Sequence, residues 1–165
     1  FQYLKATRCH GITFFKTDPL RGTIPVHEEG RLRAELLPDK LYAFSDASDA
    51  DDPVKRRSTG GFIVFYNGSP VSWNSGLQRL TTLSTCESEY VQAALACKEV
   101  IYLREILEFA GHKQQIATPI YEDNEAAVKL SENPVNRGMS KHIARRFHFL
   151  RQSSDDFAIT LVRVS

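Results

Sequence analysis

The chain has 165 residues, 42% of them hydrophobic, which suits one domain with its own hydrophobic core. A net charge of +1 gives no overall indication of nucleic-acid binding, and the sequence lacks the apolar run of about 18 residues that a membrane span needs. Three cysteines without zinc-ligand spacing favour a reduced, intracellular protein. The chain starts without Met or a signal peptide, so we expect a piece of a longer polypeptide.

The first half of the chain predicts a connection followed by three strands. Residues 16–40 are rich in Pro, Gly and charge, so we expect the main domain to begin at about residue 41. Residues 41–45 and 60–66 are mostly apolar or aromatic and are predicted strands. Asn67-Gly68 is a strong hairpin signal, so residues 70–74 are predicted to pair back as a third strand.

A long helix is predicted next. Glu87 follows Ser84 at the spacing of a capping box, which indicates a helix start at Ser84. The helix is predicted to run to about Phe109 and to stop at Gly111. Its inward-facing residues recur at the helical period, at Tyr90, Ala94, Cys97 and Ile101.

The remaining elements alternate between strand and helix. They are a strand at 118–122, a short helix at 125–131, a helix at 140–152 and a strand at 157–164. The apolar stripe of the 140–152 helix consists of Ile143, Phe147 and Leu150. Three antiparallel strands followed by strands joined through helices predict an α/β fold: a five-stranded mixed sheet flanked by helices.

Three acidic residues stand at the boundaries of these elements. Asp46 follows the first strand, Glu89 lies near the start of the long helix, and Asp123 follows the fourth strand. If the first and fourth strands are parallel neighbours, their carboxyl ends meet at one edge of the sheet. Clustered carboxylates repel one another and favour Mg²⁺ or Mn²⁺, as in two-metal phosphodiester hydrolysis. Each acid alone is more typical of a turn residue or of a helix start.

Short motifs are distributed in order along nearly the whole chain. They are Tyr3-Leu4-Lys5 with Gly11-Ile12-Thr13-Phe14, Ser45-Asp46-Ala47, Arg57-Ser58-Thr59-Gly60-Gly61, Val71-Ser72-Trp73, Leu83-Ser84-Thr85-Cys86-Glu87-Ser88-Glu89-Tyr90, Asp123-Asn124 with Ala126-Ala127, Asn133-Pro134, and Lys141-His142-Ile143 with Phe147-His148-Phe149. In this order they resemble the ribonuclease H region of copia-type LTR retrotransposon Pol polyproteins. The resemblance implies a ribonuclease H-like fold at 41–165, preceded at 1–40 by the end of the reverse transcriptase connection segment and a linker.

The resemblance also implies a role for the acidic residues. Asp46, Glu89 and Asp123 would be the catalytic residues and the ligands of two Mg²⁺ or Mn²⁺ ions, with Asp46 bridging both. The reaction would be hydrolysis of the RNA strand of RNA–DNA hybrids during reverse transcription. The family has a fourth acidic residue in a helical segment beyond the last strand, and we expect that C-terminal helix to be missing here. Ala144 stands where the family commonly has an acid.

Contacts with nucleic acid are expected at two places. By resemblance, the start of the long helix touches the minor groove of the hybrid, although capping explains Ser84 and Thr85 equally well. The helix between Arg137 and Arg151 is basic and could hold phosphates, or it could simply be a solvated face. The candidate nucleic-acid-binding residues are Ser84, Thr85, Cys86, Asn124, Arg137, Lys141 and Arg145. We interpret Trp73 and Tyr90 as core residues rather than base-stacking ones.

The implied partners are the RNA–DNA hybrid and the reverse transcriptase polymerase domain of the same polyprotein. No membrane association is expected, and dimer formation is left open. The expected location is intracellular, in a cytoplasmic virus-like particle and, as a second compartment, the nucleus. One alternative is a non-catalytic ribonuclease H-like structural or nucleic-acid-binding module. An integrase or transposase core is disfavoured, because its acids run Asp, Asp, Glu rather than Asp, Glu, Asp.

Overall fold

The structure, a computed structural model, describes residues 39–48, 57–79, 82, 84–124 and 141–164, the first two residues of the last range by backbone only. The expected connection segment before residue 39 and the predicted short helix at 125–131 lie outside the described residues. Within the described part of the chain, no helix combines the length and the apolar character that crossing a membrane requires.

The sheet has five strands, which are Leu41–Ser48 (β1), Thr59–Tyr66 (β2), Ser69–Leu77 (β3), Thr118–Glu122 (β4) and Ile159–Arg163 (β5). Their order across the sheet is β3-β2-β1-β4-β5. Strand β1 pairs antiparallel with β2 and parallel with β4, β2 pairs antiparallel with β3, and β5 is parallel to β4. The predicted mixed sheet is therefore confirmed. Strands β1 and β3 run on to Ser48 and Leu77 because both pair along the whole of β2.

Two described helices pack on one face of this sheet: α1 (Thr85–Phe109) and α2 (Lys141–Asp155). Ser84 caps α1, and its hydroxyl accepts a 3.2 Å hydrogen bond from the Glu87 backbone N–H, as the motif predicted. After the C-cap, Gly111 has a φ of 86°, a left-handed conformation that glycine adopts without steric cost.

The core lies between the sheet and the helices, and it contains Tyr90, Ala94, Cys97, Phe147 and Leu150 of the two predicted helical stripes. Ile101 packs against it, and Ile143 is also buried. Tyr90 is fully buried there, which confirms its interpretation as a core residue. Its ring stacks on Phe147 with centroids 5.6 Å apart. A second apolar cluster occupies the opposite sheet face, because alternate residues of a strand point to opposite sides. It is built from Tyr42 and Tyr121 with Phe44, Phe65, Val162 and Val164.

The interpretation of Trp73 as a core residue is wrong. Its side chain is 57% exposed, although the residue sits in a regular strand. Trp73 pairs with Ile63, which in turn pairs with Phe44, so all three share the face turned away from α1 and α2. Because β3 is also the edge strand, Trp73 has no neighbouring strand on its outer side.

Candidate metal centre

Three carboxyl groups converge at one edge of the sheet. Asp46, Glu89 and Asp123 each place a carboxylate oxygen within 4.8 Å of the others. Asp46 lies in the C-terminal part of β1 and Asp123 directly follows β4. Parallel pairing of these strands brings their carboxyl ends to the same edge, and α1 supplies Glu89 from above. The structure thus brings together the three acids that the sequence predicted for metal binding.

An aromatic contact aligns the two strands that carry the aspartates. Phe44 and Tyr121 are register partners across the parallel β1–β4 pair, and their rings stack with centroids 4.9 Å apart. Asp46 and Asp123 stand two residues further along the same strands. Asp46 lies two residues after Phe44 on the same face of β1, whereas Asp123 lies just beyond the end of β4. The stack therefore supports the register of β1 and β4 that brings both aspartates to one end of the sheet.

A fourth carboxyl group lies beneath these three, and the sequence analysis missed it. Glu122 is the last residue of β4 and is fully buried. The Ser45 hydroxyl donates a 2.7 Å hydrogen bond to its Oε2 atom, and the Asn124 backbone N–H approaches the same group. The signal was available: counting in twos along β4 places Glu122 with Ile120, a core residue that faces the helices.

The carboxyl groups of Glu122 and Glu89 are neighbours, close enough to act on each other's charge and to share a hydrogen bond when one of them is protonated. Burial, followed by the nearby charge of Glu122, raises the pKa of Glu89 well above the range of an ordinary glutamate. Burial also raises the pKa of Glu122, against the opposing effect of the hydrogen bonds from Ser45 and Glu89. Both shifts favour the protonated form, so the pair binds a proton more tightly than two separate surface glutamates would.

The donor set fits a hard divalent cation. All three converging groups offer carboxylate oxygens, which Mg²⁺ and Mn²⁺ prefer. Glu89 is only 4% exposed, and its Oε2 atom is buried without a hydrogen-bond donor. A buried oxygen of this kind is costly unless a proton or a cation compensates it. The site can therefore hold a cation through Asp46, Glu89 and Asp123.

Four of the candidate nucleic-acid-binding residues lie in segments that carry these acids. Ser84 and Thr85 are exposed at the start of α1, one turn before Glu89. Cys86 is half-buried, and burial, with the charges of Glu87, Glu89 and Glu122, raises the pKa of its thiol. Asn124 directly follows Asp123 and is half-buried.

The basic helix is described only in part. Arg145 is exposed on α2, on a different side from the buried stripe of Ile143, Phe147 and Leu150. Arg137 and the side chain of Lys141 lie outside the described residues. The phosphate-binding role of this helix therefore stays a prediction.

Comparison with curated proteins identifies relatives of the chain. A 126-residue stretch, 76% of the chain, is 34% identical to the retrovirus-related Pol polyprotein from transposon TNT 1-94 of Nicotiana tabacum. A 164-residue stretch, 99% of the chain, is 32% identical to the corresponding polyprotein from transposon RE2 of Arabidopsis thaliana. The chain is homologous to copia-type Pol polyproteins. It spans 9% and 10% of the lengths of these two Pol relatives. No protein-family model matches it.

Solved structures place the Pol homologue in a known fold. It aligns with LC11-RNase H1, isolated from compost, at a TM-score of 0.56 and 14% identity, covering 76% of this chain and 84% of the other. The complex of LC11-RNase H1 with an RNA/DNA hybrid aligns at a TM-score of 0.52 and 13% identity, with 76% and 83% covered. The fold is that of ribonuclease H, as the resemblance implied.

Proposed function

We propose that this chain is the ribonuclease H domain of a retrotransposon reverse transcriptase and hydrolyses the RNA strand of RNA–DNA hybrids. The observation that carries the proposal is the convergence of three carboxylates within 4.8 Å at the carboxyl ends of β1 and β4. The ribonuclease H fold and the homology to Pol polyproteins support it. Residues 41–165 form the proposed nuclease domain, after the end of the connection segment.

The roles proposed for the acids come from the family resemblance. By that resemblance Asp46 would be shared by two divalent ions, and Glu89 and Asp123 would each help to hold one of them. With such ions bound, the site gains an activated water of lowered pKa and stabilisation of the leaving 3′-oxygen. Asp46 and Asp123 are exposed, so their carboxylates are accessible to a phosphodiester, whereas Glu89 is supported from within the protein. The products would carry 5′-phosphate and 3′-hydroxyl ends.

The start of α1 is the proposed surface for the minor groove of the hybrid. The exposed hydroxyls of Ser84 and Thr85 can donate to or accept from a ribose 2′-hydroxyl, the group that distinguishes RNA from DNA. The helix N-terminus also favours an approaching phosphate. Cys86, Asn124 and the basic residues Arg137, Lys141 and Arg145 complete the proposed contacts.

The proposed partners are the hybrid and the polymerase domain of the same polyprotein. LC11-RNase H1 is known in complex with an RNA/DNA hybrid, which supports the choice of substrate. A net charge of +1 supplies little electrostatic affinity for nucleic acid, so the polymerase domain would provide much of the affinity for the substrate. This role implies an intracellular location, in a virus-like particle in the cytoplasm and, in addition, the nucleus.

The test is cleavage of an end-labelled RNA–DNA hybrid in Mg²⁺ and, separately, in Mn²⁺. We expect cuts in the RNA strand alone, none in double-stranded DNA of the same sequence, and loss of cleavage in Asp46→Asn. Asp156→Asn is the matched control, because Asp156 is exposed in the turn before β5, at the opposite sheet edge. Absence of cleavage by the folded wild-type chain in both metals, or equal cleavage by Asp46→Asn, contradicts the proposal.

A further inference from the structure

The proposed cleavage gives no role to Glu122, although its placement is costly. The residue is 0% exposed, and transferring a carboxyl group from water into a protein interior is unfavourable. An apolar side chain of similar size is often at least as stable in such a position. Stability alone therefore does not account for a glutamate at this point of β4.

The Glu122 carboxyl group is held from two sides. The Ser45 hydroxyl donates to Oε2 at 2.7 Å, across the junction between β1 and β4, and the backbone N–H of Asn124 approaches from the chain itself. Ser45 is itself buried, at 6% exposure. These donors come from the two strands that carry Asp46 and Asp123, so Glu122 is fixed relative to both aspartates.

Glu89 has less support of its own. It extends from the first turns of α1 on a long side chain with three rotatable bonds, and it meets the aspartates only through its carboxyl group. Its Oε2 atom has no hydrogen-bond donor, and neither has the Oε1 atom of Glu122. The neighbouring Glu122 carboxyl group can restrict the rotamers of Glu89, because the two groups interact.

We propose that Glu122 is a positioning residue of the candidate metal centre: anchored by Ser45, it holds the Glu89 carboxyl group in the place from which it binds a divalent cation. The inference rests on the proposed function, since it concerns the same site. It does not make Glu122 a metal ligand, because the converging oxygens belong to Asp46, Glu89 and Asp123. Partners that orient metal ligands typically change metal affinity by about 10- to 100-fold.

The test measures Mn²⁺ affinity by isothermal titration calorimetry and thermal stability in EDTA, for wild type and for variants of Glu122. Glu122→Leu fills the same space without a hydrogen bond, and we expect it to weaken Mn²⁺ binding by about 10- to 100-fold while the melting temperature stays equal or rises. Glu122→Gln offers an amide that can both accept from Ser45 and donate to Glu89, so we expect an affinity within roughly threefold of wild type.

Two further variants complete the experiment. Asp46→Asn removes a proposed ligand. Loss of the heat of binding in this variant would show that the Mn²⁺ measured by calorimetry binds at this site. Ser45→Ala removes only the anchor and should weaken Mn²⁺ binding by roughly fivefold, the equivalent of one hydrogen bond. If Glu122→Leu fails to fold, Ser45→Ala and Glu122→Gln decide the matter by the same expectations.

The outcomes separate this inference from the proposed function. Unchanged Mn²⁺ affinity in Glu122→Leu and Ser45→Ala, with binding still lost in Asp46→Asn, overturns the positioning role and leaves the metal site intact. Equal losses in Glu122→Gln and Glu122→Leu overturn it as well, since the hydrogen-bonding shape would then not matter. A wild-type chain that binds no Mn²⁺ overturns the proposed function and this inference together.

Discussion

Glu89, near the start of α1, and Glu122, at the end of β4, place their carboxyl groups in contact inside the protein. Two acids in contact are favourable only while a proton lies between them or a cation lies beside them. The folded protein without metal therefore depends on pH in a way that a surface acid would not produce.

We predict that the metal-free protein loses stability as the pH rises from 5 to 8. The raised pKa values mean that the folded chain binds more protons than the unfolded chain between about pH 4.3, the ordinary glutamate value, and the raised pKa of Glu89, about 9. Stability then falls by up to about 1.4 kcal/mol per pH unit for one retained proton. The measurement is the melting temperature in EDTA against pH, for wild type and Glu89→Gln.

The difference between the two proteins isolates the pair from other titrating groups. Glu89→Gln should melt higher than wild type at pH 8 and by less at pH 5. Addition of Mg²⁺ should raise the wild-type melting temperature more at pH 8 than at pH 5, because fewer protons then compete with the cation for the Glu89 carboxylate. A wild-type curve that stays parallel to that of Glu89→Gln across this range contradicts the shared proton.

Gly60 lets α1 approach the sheet closely. A Cβ atom at Gly60 would overlap the Oε1 atom of Gln92, a side chain that is itself only 1% exposed. We predict that Gly60→Ala costs about 1–3 kcal/mol of unfolding free energy and weakens Mn²⁺ binding, because it pushes the helix that carries Glu89. Urea denaturation measures the first effect and calorimetry the second.

The control for this substitution is the neighbouring strand position. Gly76 pairs with Gly60 in register, yet nothing lies within 4 Å of a Cβ atom built on it. Gly76→Ala should therefore be neutral or slightly stabilising. If both variants lost similar unfolding free energy, alanine would be disturbing the strand itself rather than the contact with Gln92.

Arg104 links α1 to the segment that precedes and begins β4. Its guanidinium donates to Ile116 O at 2.8 Å, to Thr118 Oγ1 at 2.8 Å and to Gln114 O at 2.9 Å. Lysine keeps the charge but cannot make this planar set of bonds, so we predict that Arg104→Lys destabilises the protein by about 2 kcal/mol. Arg151→Lys is the control, since the ion pair described for Arg151 is a 3.8 Å surface pair with Asp155, and this variant should change stability little. Urea denaturation measures the free energy of unfolding of both variants.

Ser84 caps α1 in the fold and has a proposed role in binding the substrate. Ser84→Ala should cost about 1 kcal/mol, because the Glu87 backbone N–H loses its acceptor. Ser84→Asp retains the cap, so stability should be kept, but its charge should weaken binding of an RNA–DNA hybrid by repelling phosphates. Thermal melts and fluorescence anisotropy at fixed salt separate the two roles. Unchanged hybrid affinity in Ser84→Asp would remove this residue from the proposed binding surface.

Local patterns in the sequence predicted most of the described elements. The hairpin at Asn67-Gly68, the cap at Ser84 and the stop at Gly111 depend on a few neighbouring residues, and each lies where it was expected. The choice of Asp46, Glu89 and Asp123 came from the family resemblance, since each acid alone fits an ordinary turn or helix start. Their convergence needed the parallel pairing of β1 and β4, which no local pattern specifies.

The two failures have a common physical reason. Trp73 was placed in the core because a large aromatic residue in a strand is usually buried, but its exposure depends on being in the edge strand and on the face without the described helices. Glu122 was overlooked because an acid at the end of a strand is usually solvated, while here Ser45 and Glu89 enclose it. Both outcomes depend on neighbours distant in sequence.

The hydrogen bond between Ser45 and Glu122 joins positions 77 residues apart, and within the described strands the β1–β4 junction contains two register pairs. Closing so long a segment is entropically costly, so such contacts tend to form late in folding. A partly folded chain, even one with the β1–β2–β3 meander and α1 complete, would have Asp46 and Glu89 but no Asp123 beside them. The proposed affinity for a divalent cation would therefore arise late in folding, only after β4 has docked against β1.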